Sequence, residues 1–141
     1  MYVKVTNGVA EKYSIGQLRR DNPNISFPKN PSDELLAGFN VFPCSVTDVG
    51  VYDALAWGVI SSGFEQTNGA WVEHKALEAL PLDIAQKNIR DRRNELLTEC
   101  DWTQLADATV NSLAWANYRQ SLRDIPSQEG FPYNVIWPTK P

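Results

Sequence analysis

The sequence has few of the residues on which most catalytic and metal sites depend. It contains two cysteines and one histidine among 141 residues. Cys44 and Cys100 are far apart and lie in no Cys-x-x-Cys motif, so we expect two buried free thiols in a reducing cytosol. His74 has no cluster of ligand residues around it, and a mechanism that needs two histidines is excluded. No glycine-rich phosphate loop and no Gly-x-Ser-x-Gly motif is present. We therefore predict a protein that is not an enzyme and has no metal and no cofactor.

The sequence also lacks a basic excess and a long apolar run. Thirteen lysines and arginines stand against seventeen acidic residues, which gives a net charge of −4. Nucleic-acid-binding domains usually carry a basic excess, so no nucleic-acid partner is expected. No apolar run approaches the roughly 20 residues that span a bilayer. Residues 1–6 lack the basic and apolar regions of a secretory signal. We expect a cytoplasmic protein without a membrane partner.

What the sequence does contain is an ordinary globular mixture with many large aromatic residues. Hydrophobic residues make up 43%, and aromatic residues make up 11%, including five tryptophans. This composition excludes a disordered chain. The pattern predicts an α+β fold in two domains. Residues 1–82 form a small α+β head with a β-hairpin and an antiparallel sheet. Residues 83–141 form a helical hairpin with an extended tail rich in proline and aromatic residues.

Turn signals organise the predicted head. Asn7-Gly8 and Asn68-Gly69 each favour a two-residue type I′ turn between two strands. Residues 41–44 predict a strand whose proline would suit a sheet edge. Residues 51–60 are β-like, and Ser61-Ser62-Gly63 is expected to turn the chain.

Capping patterns predict the two short helices of the head. Ser14 and Gln17 fit a capping box, in which each side chain satisfies a free amide of the first turn. Ser32 is expected to cap a second short helix. Gly38 is expected to end that helix.

Helical periodicity dominates the second half of the chain. A helix is predicted over residues 84–99, with a cap-like Asp83 before it, and another over residues 109–124. A short connection favours antiparallel packing of the two helices. The residues expected on their buried stripes are Ile89, Arg93, Leu96, Leu97, Cys100, Trp115, Tyr118, Leu122 and Ile125.

Several polar residues near these helices invite a functional interpretation, but a structural one is favoured. Asp101 and Asp107 flank the connection between the helices and are expected to cap helices or to pair with arginines. Arg90, Arg92 and Arg93 could bind an anion. A solvated helix face with ion pairs is favoured instead, since exposed pairs of this kind are common and weak.

Four aromatic residues leave three alternatives open. Trp102, Trp115, Tyr118 and Trp137 could line a ligand cage. A helical hairpin of about forty residues has little core of its own, so these aromatics are expected mainly to build that core, with the tail folded back as a lid. At least one of them could instead be exposed to a partner protein, since tryptophan is enriched at protein interfaces.

Ordered motifs in the second half resemble the tail assembly chaperone family of tailed bacteriophages. The motifs are an arginine-rich helix, Asp-Trp-Thr-Gln from Asp101, Trp-x-x-Tyr-Arg-x-x-Leu-Arg-Asp-Ile-Pro from Trp115, and Trp137-Pro138. The resemblance covers about residues 84–141. One departure is Ala106, which stands where the family usually has a proline before the aspartate.

The resemblance implies a role in virion assembly. It implies a non-enzymatic phage tail protein that binds tail or tail-fibre proteins in the host cytoplasm, as one of several copies in an assembly. The alternative is a structural component retained in the virion tail at the junction of fibre and tail. The residues predicted to bind the partner are Trp102, Trp115, Tyr118, Arg119, Phe131 and Trp137.

Overall fold

The computed structural model describes residues 1–141, which form two compact units. The N-terminal unit consists of residues 1–50 and 59–76, and the C-terminal unit consists of residues 51–58 and 77–141. These units differ from the predicted domains, 1–82 and 83–141, because residues 51–58 and 77–82 belong with the second half. Hydrogen bonds join both segments to the second half: Asn88 Nδ2 donates to the Leu55 carbonyl at 3.0 Å, and the Tyr133 hydroxyl donates to the Leu80 carbonyl at 2.8 Å.

The strands form one five-stranded sheet in the order β2-β1-β3-β5-β4. Their bounds are β1 Tyr2–Thr6, β2 Val9–Tyr13, β3 Val41–Val46, β4 Trp57–Thr67 and β5 Ala70–Ala79. Strand β1 pairs antiparallel with β2 and β3. Strand β3 pairs parallel with β5, so the sheet is mixed and the prediction of an antiparallel sheet is wrong at this junction.

Both predicted hairpins are confirmed. Asn7 and Gly8 have φ angles of 53° and 80°, and Asn68 and Gly69 have φ angles of 52° and 81°. A type I′ turn requires left-handed backbone at both central residues, which asparagine and glycine adopt at low cost.

The second hairpin is longer than predicted. Residues 61–63 do not turn the chain but lie inside β4, and Ser62 Oγ donates to the His74 carbonyl on β5 at 3.2 Å. The β-like stretch predicted from residue 51 begins only at Trp57.

Pro43 was predicted at a sheet edge, but β3 is the central strand. The Cys44 N–H points towards β1 and donates to the Met1 carbonyl at 2.9 Å. Successive backbone amides of a strand alternate in direction, so the Pro43 nitrogen faces β5. The β5 ladder starts at Cys44, opposite Trp71, so no ladder bond is lost at the proline.

The head contains two short helices, α1 (Ile15–Asp21) and α2 (Asp33–Ala37). The capping box of α1 is confirmed: the Gln17 N–H donates to Ser14 Oγ at 3.1 Å, and the Ser14 N–H donates to Gln17 Oε1 at 2.9 Å. Ser32 caps α2, and Gly38 is its C-terminal cap. Both helices contribute a leucine to the N-terminal core, which contains Tyr13, Leu18, Leu36 and Val41.

The second half contains α3 (Leu82–Glu99), a 3₁₀ turn at Asp101–Gln104 and α4 (Ser112–Arg123). Asp83 does not cap α3, because the helix already begins at Leu82 and Asp83 lies in its first turn. Asn111 caps α4 and accepts the Ala114 N–H at 3.0 Å. No helix is both long and apolar enough to cross a membrane.

The C-terminal core confirms most of the predicted helical stripes. Its buried members are Ile89, Cys100, Tyr118, Leu122 and Ile125, and partly buried residues packed against them include Leu96, Leu97, Trp115, Phe131, Val135 and Trp137. Cys44 and Cys100 are buried free thiols, as predicted. The tail is less extended than expected, since it starts with a 3₁₀ turn at Ile125–Ser127 and further turns before it loses regular structure from residue 135.

Candidate functional site

Arg119, predicted to bind a partner, lies inside the C-terminal unit. Its side chain sits on α4 and is only about 9% exposed. Nη1 donates to the Leu97 carbonyl at 2.7 Å and contacts Cys100 Sγ at 3.1 Å, and Nη2 donates to Asp101 Oδ1 at 2.7 Å. Burial lowers the pKa of Arg119, but the bonds to Asp101 and Cys100 outweigh it and raise the pKa overall. The guanidinium therefore joins the end of α3, the 3₁₀ turn and α4.

The two acidic residues at the connection have different roles. Asp101 pairs with an arginine, as predicted, and its partner is Arg119. Asp107 is exposed and caps neither helix, since Asn111 takes the cap position of α4. Residues 108–111 contain no helix and separate Asp107 from the start of α4 at Ser112.

Three aromatic rings run from the core to the surface beside this connection. Tyr118 is buried, and the Trp115 ring meets it edge-on at a centroid distance of 5.7 Å. Trp115 is half-buried, and the Trp102 ring lies 6.4 Å from it. Trp102 is 52% exposed and Leu105 is 61% exposed. We call Trp102, Leu105 and Trp115 the connector surface.

The connector surface lies in a stretch with almost no charge. Between Asp101 and Arg119 the only charged residue is Asp107. The outer face of α3, in contrast, carries charged residues, among them Arg92, which pairs with Glu95 at 3.0 Å. This pair agrees with the predicted solvated face. The contrast in charge singles out the connector surface as an apolar contact area.

Phe131 and Trp137 pack on the chain's own core. The Arg90 guanidinium lies over the Phe131 ring, 5.3 Å from its centre, a cation–π geometry. Trp137 Nε1 donates to Asp53 Oδ2 at 3.2 Å. Trp137 thus bonds to Asp53, whereas ring contacts link Trp102 to Trp115 and Trp115 to Tyr118.

Trp137 is one wall of a cleft of about 620 Å³ in the C-terminal unit. The lining residues are Val51, Tyr52, Asp53, Ala54, Trp57, Leu77, Tyr133, Asn134, Val135 and Trp137. The Trp57 and Tyr133 rings meet edge-on at 5.7 Å. Sequence reasoning missed this cleft because residues 51–60 were expected to be a strand. The missed signal is Asp53, which begins an Asx turn by accepting the Leu55 N–H at 2.9 Å.

A buried carboxylate in the N-terminal unit was also missed. Glu73 is 2% exposed and pairs with Lys75, two residues along the same strand face. The hydrogen bond from Lys75 lowers the pKa of Glu73 against the opposing effect of burial. The sequence indicated the shared face but not its burial. Lys75 donates to Glu73 Oε1, whereas Glu73 Oε2 is buried without a hydrogen-bond partner.

The comparisons concern the C-terminal part of the chain. Residues 86–141 match the family model described as phage tail assembly chaperone protein. Comparison with curated proteins and with solved structures gives no match. The resemblance found in the motifs is therefore confirmed over residues 86–141, which include every residue predicted to bind a partner. The C-terminal part of the chain is therefore similar to phage tail assembly chaperone proteins.

Proposed function

We propose that the protein binds a tail or tail-fibre protein in the host cytoplasm during virion assembly, covers apolar surface on it and then leaves. The family match over residues 86–141 supports the assembly role. It does not name the partner, so the argument for binding rests on the surface that the matched residues present.

The observation that carries the proposal is the exposed Trp102 ring. Tryptophan anchors are enriched among the residues that dominate binding energy at interfaces. Trp102 is 52% exposed, stands against Trp115 and is followed by a stretch in which Asp107 is the only charged residue before Arg119. A partner that covered this ring would remove apolar area from water without leaving a charge unpaired.

The fold also holds this anchor in place. Trp102 lies in the 3₁₀ turn whose neighbours Asp101 and Thr103 are tied inward. Asp101 accepts from Arg119, and Thr103 Oγ1 donates to the Cys100 carbonyl at 2.6 Å. An anchor already ordered in the free protein loses less entropy on binding, which favours affinity.

Cross-linking in infected cells tests the proposal. Tagged wild-type protein is compared with Trp102→Ala and with a matched control, Ile25→Ala, which removes an exposed apolar side chain from the N-terminal unit. We expect a tail or fibre protein, identified by mass spectrometry, to cross-link to the wild type and to the control. Trp102→Ala should reduce the yield at least about fivefold, since truncating an anchor costs more than about 1 kcal/mol. An equal yield from Trp102→Ala at an unchanged thermal midpoint would contradict this use of the surface.

The same material decides whether the protein leaves. Mass spectrometry of purified virions should find no stoichiometric amount of the chain. A stoichiometric amount would support the alternative, a structural component retained at the junction of fibre and tail.

A further inference from the structure

The cleft in the C-terminal unit is lined by several aromatic residues. Tyr52, Trp57, Tyr133 and Trp137 supply four aromatic rings. Trp57 Nε1 donates to the Tyr133 carbonyl at 2.8 Å, and the Tyr133 hydroxyl donates to the Leu80 carbonyl at 2.8 Å. Because these polar groups are satisfied within the chain, the Trp57 and Tyr133 rings offer mainly apolar surface to a ligand.

The cleft carries one charge. Asp53 is its only carboxylate, and no lysine, arginine or histidine lines it. The Leu55 N–H and Trp137 Nε1 hold the two oxygens of this carboxylate. A fixed negative charge beside aromatic rings favours a ligand cation, because ring faces also attract cations.

We propose that this cleft binds an extended segment of another protein in which proline stands close to a lysine or arginine. Proline-rich segments are extended before binding and dock in aromatic-lined grooves at low entropic cost. The basic residue would approach Asp53, and a glutamate in its place would be repelled. The inference is independent of the assembly role and of the connector surface.

The chain's own tail is not the favoured occupant, although its last four residues are Pro-Thr-Lys-Pro. Lys140 Nζ lies 2.9 Å from Glu99 Oε2 on α3. Gln128 holds Ile136 through two hydrogen bonds, one to its N–H and one to its carbonyl. Residues 138–141 do not line the cleft, so a segment from a different protein is the occupant we infer.

Peptide titration of the full chain tests the proposal. The probe is a fluorescein-labelled peptide of prolines with one central lysine, followed by anisotropy. The matched peptides replace the lysine by glutamate or the prolines by glycine. We expect the lysine peptide to bind at least about tenfold more tightly than the glutamate peptide, because like charges at an interface are strongly unfavourable. The glycine peptide should bind more weakly as well, since it loses more conformational entropy when it is ordered on binding.

Variants connect the binding to the cleft. Tyr52→Ala removes a partly exposed wall and should weaken the lysine peptide at least about fivefold. Asp53→Asn should abolish the preference for lysine over glutamate. The control Leu113→Ala removes an exposed side chain that does not line the cleft and should change nothing, as should Trp102→Ala. That last variant separates this inference from the proposed function.

Three results would overturn the inference. The first is no saturable binding of the lysine peptide up to about 1 mM, the weak limit of specific recognition. The second is equal binding of the lysine and glutamate peptides by the wild type. The third is a homodimer, seen by sedimentation, that Tyr52→Ala dissociates, because the cleft would then be occupied by a second copy.

Discussion

Replacing Arg119 by methionine should destabilise the C-terminal unit through one lost hydrogen bond more than through a lost ion pair. Methionine keeps most of the apolar stem of the buried side chain and removes the guanidinium. The change leaves the Leu97 carbonyl, at the end of α3, without the donor that lies 2.7 Å away. It also leaves Asp101 unpaired, but the Asp101 side chain is 63% exposed and can be solvated by water.

The two losses differ in size. A hydrogen bond from a charged donor to a partly buried carbonyl contributes about 1.5–3 kcal/mol. A pair with an exposed carboxylate contributes about 0–1 kcal/mol. We therefore expect Arg119→Met to lower the free energy of unfolding by about 1.5–4 kcal/mol. Asp101→Asn should lower it by less than about 1 kcal/mol.

Urea unfolding followed by tryptophan fluorescence measures both values. Trp57, Trp102, Trp115 and Trp137 lie in the C-terminal unit, and only Trp71 lies in the other, so a Trp71→Phe background isolates the relevant signal. The double variant completes a cycle, in which we expect a coupling energy below about 1 kcal/mol. A coupling above about 2 kcal/mol, or equal costs for the two single variants, would refute the reasoning and assign the stability to the ion pair.

Three further predictions concern other parts of the fold. Trp115→Ala should lower the free energy of unfolding, measured in urea, by about 2–4 kcal/mol. This is below the upper range for a fully buried tryptophan, because the ring is half-buried. A loss under about 0.5 kcal/mol would show that the ring does not contribute to the core. A chain that ends at Ser127 loses Phe131 from the core, and calorimetry should show no cooperative transition of the C-terminal unit; an unchanged transition would contradict the packed tail. The pKa of Glu73 is lowered in the folded protein because Lys75 donates a hydrogen bond to it. The contribution of Glu73 to the free energy of unfolding is therefore complete above the ordinary glutamate pKa of 4.5, and it is lost as the pH falls through the lower pKa of the folded protein. Glu73→Gln should therefore make the free energy of unfolding depend less on pH at acidic pH. An identical pH dependence for the variant and the wild type would contradict this prediction.

Local signals in the sequence predicted the elements that local physics determines. Asn7-Gly8 and the Ser14–Gln17 box depend on backbone conformation and hydrogen bonds within a few residues. The parallel pairing of β3 with β5 has no such signal. Cys44 on β3 pairs with Trp71 on β5 across a long intervening segment. Whether these two strands run parallel or antiparallel depends on tertiary packing that no short sequence pattern encodes.

The same distinction explains what was found and missed at the candidate sites. Helical spacing placed Trp115 and Tyr118 on one stripe, and the structure packs both on the core. The cleft is formed by the bonds from Trp57 to Tyr133 and from Trp137 to Asp53, which join residues 76 and 84 positions apart. Periodicity cannot reveal pairs at such separations, so the cleft could only emerge from the fold.

The structure divides the family-like motifs into an inner and an outer part. In Trp-x-x-Tyr-Arg, Tyr118 and Arg119 are 5% and 9% exposed, and their contacts are explained by the core. In Asp-Trp-Thr-Gln, Asp101 is bound by Arg119, and Thr103 is fully buried. Trp102 lies between them and points its ring outward, since both of its neighbours hold the turn. Trp102 is thus the apolar member of this motif with free surface, so loss of partner binding without loss of stability should be found first at Trp102.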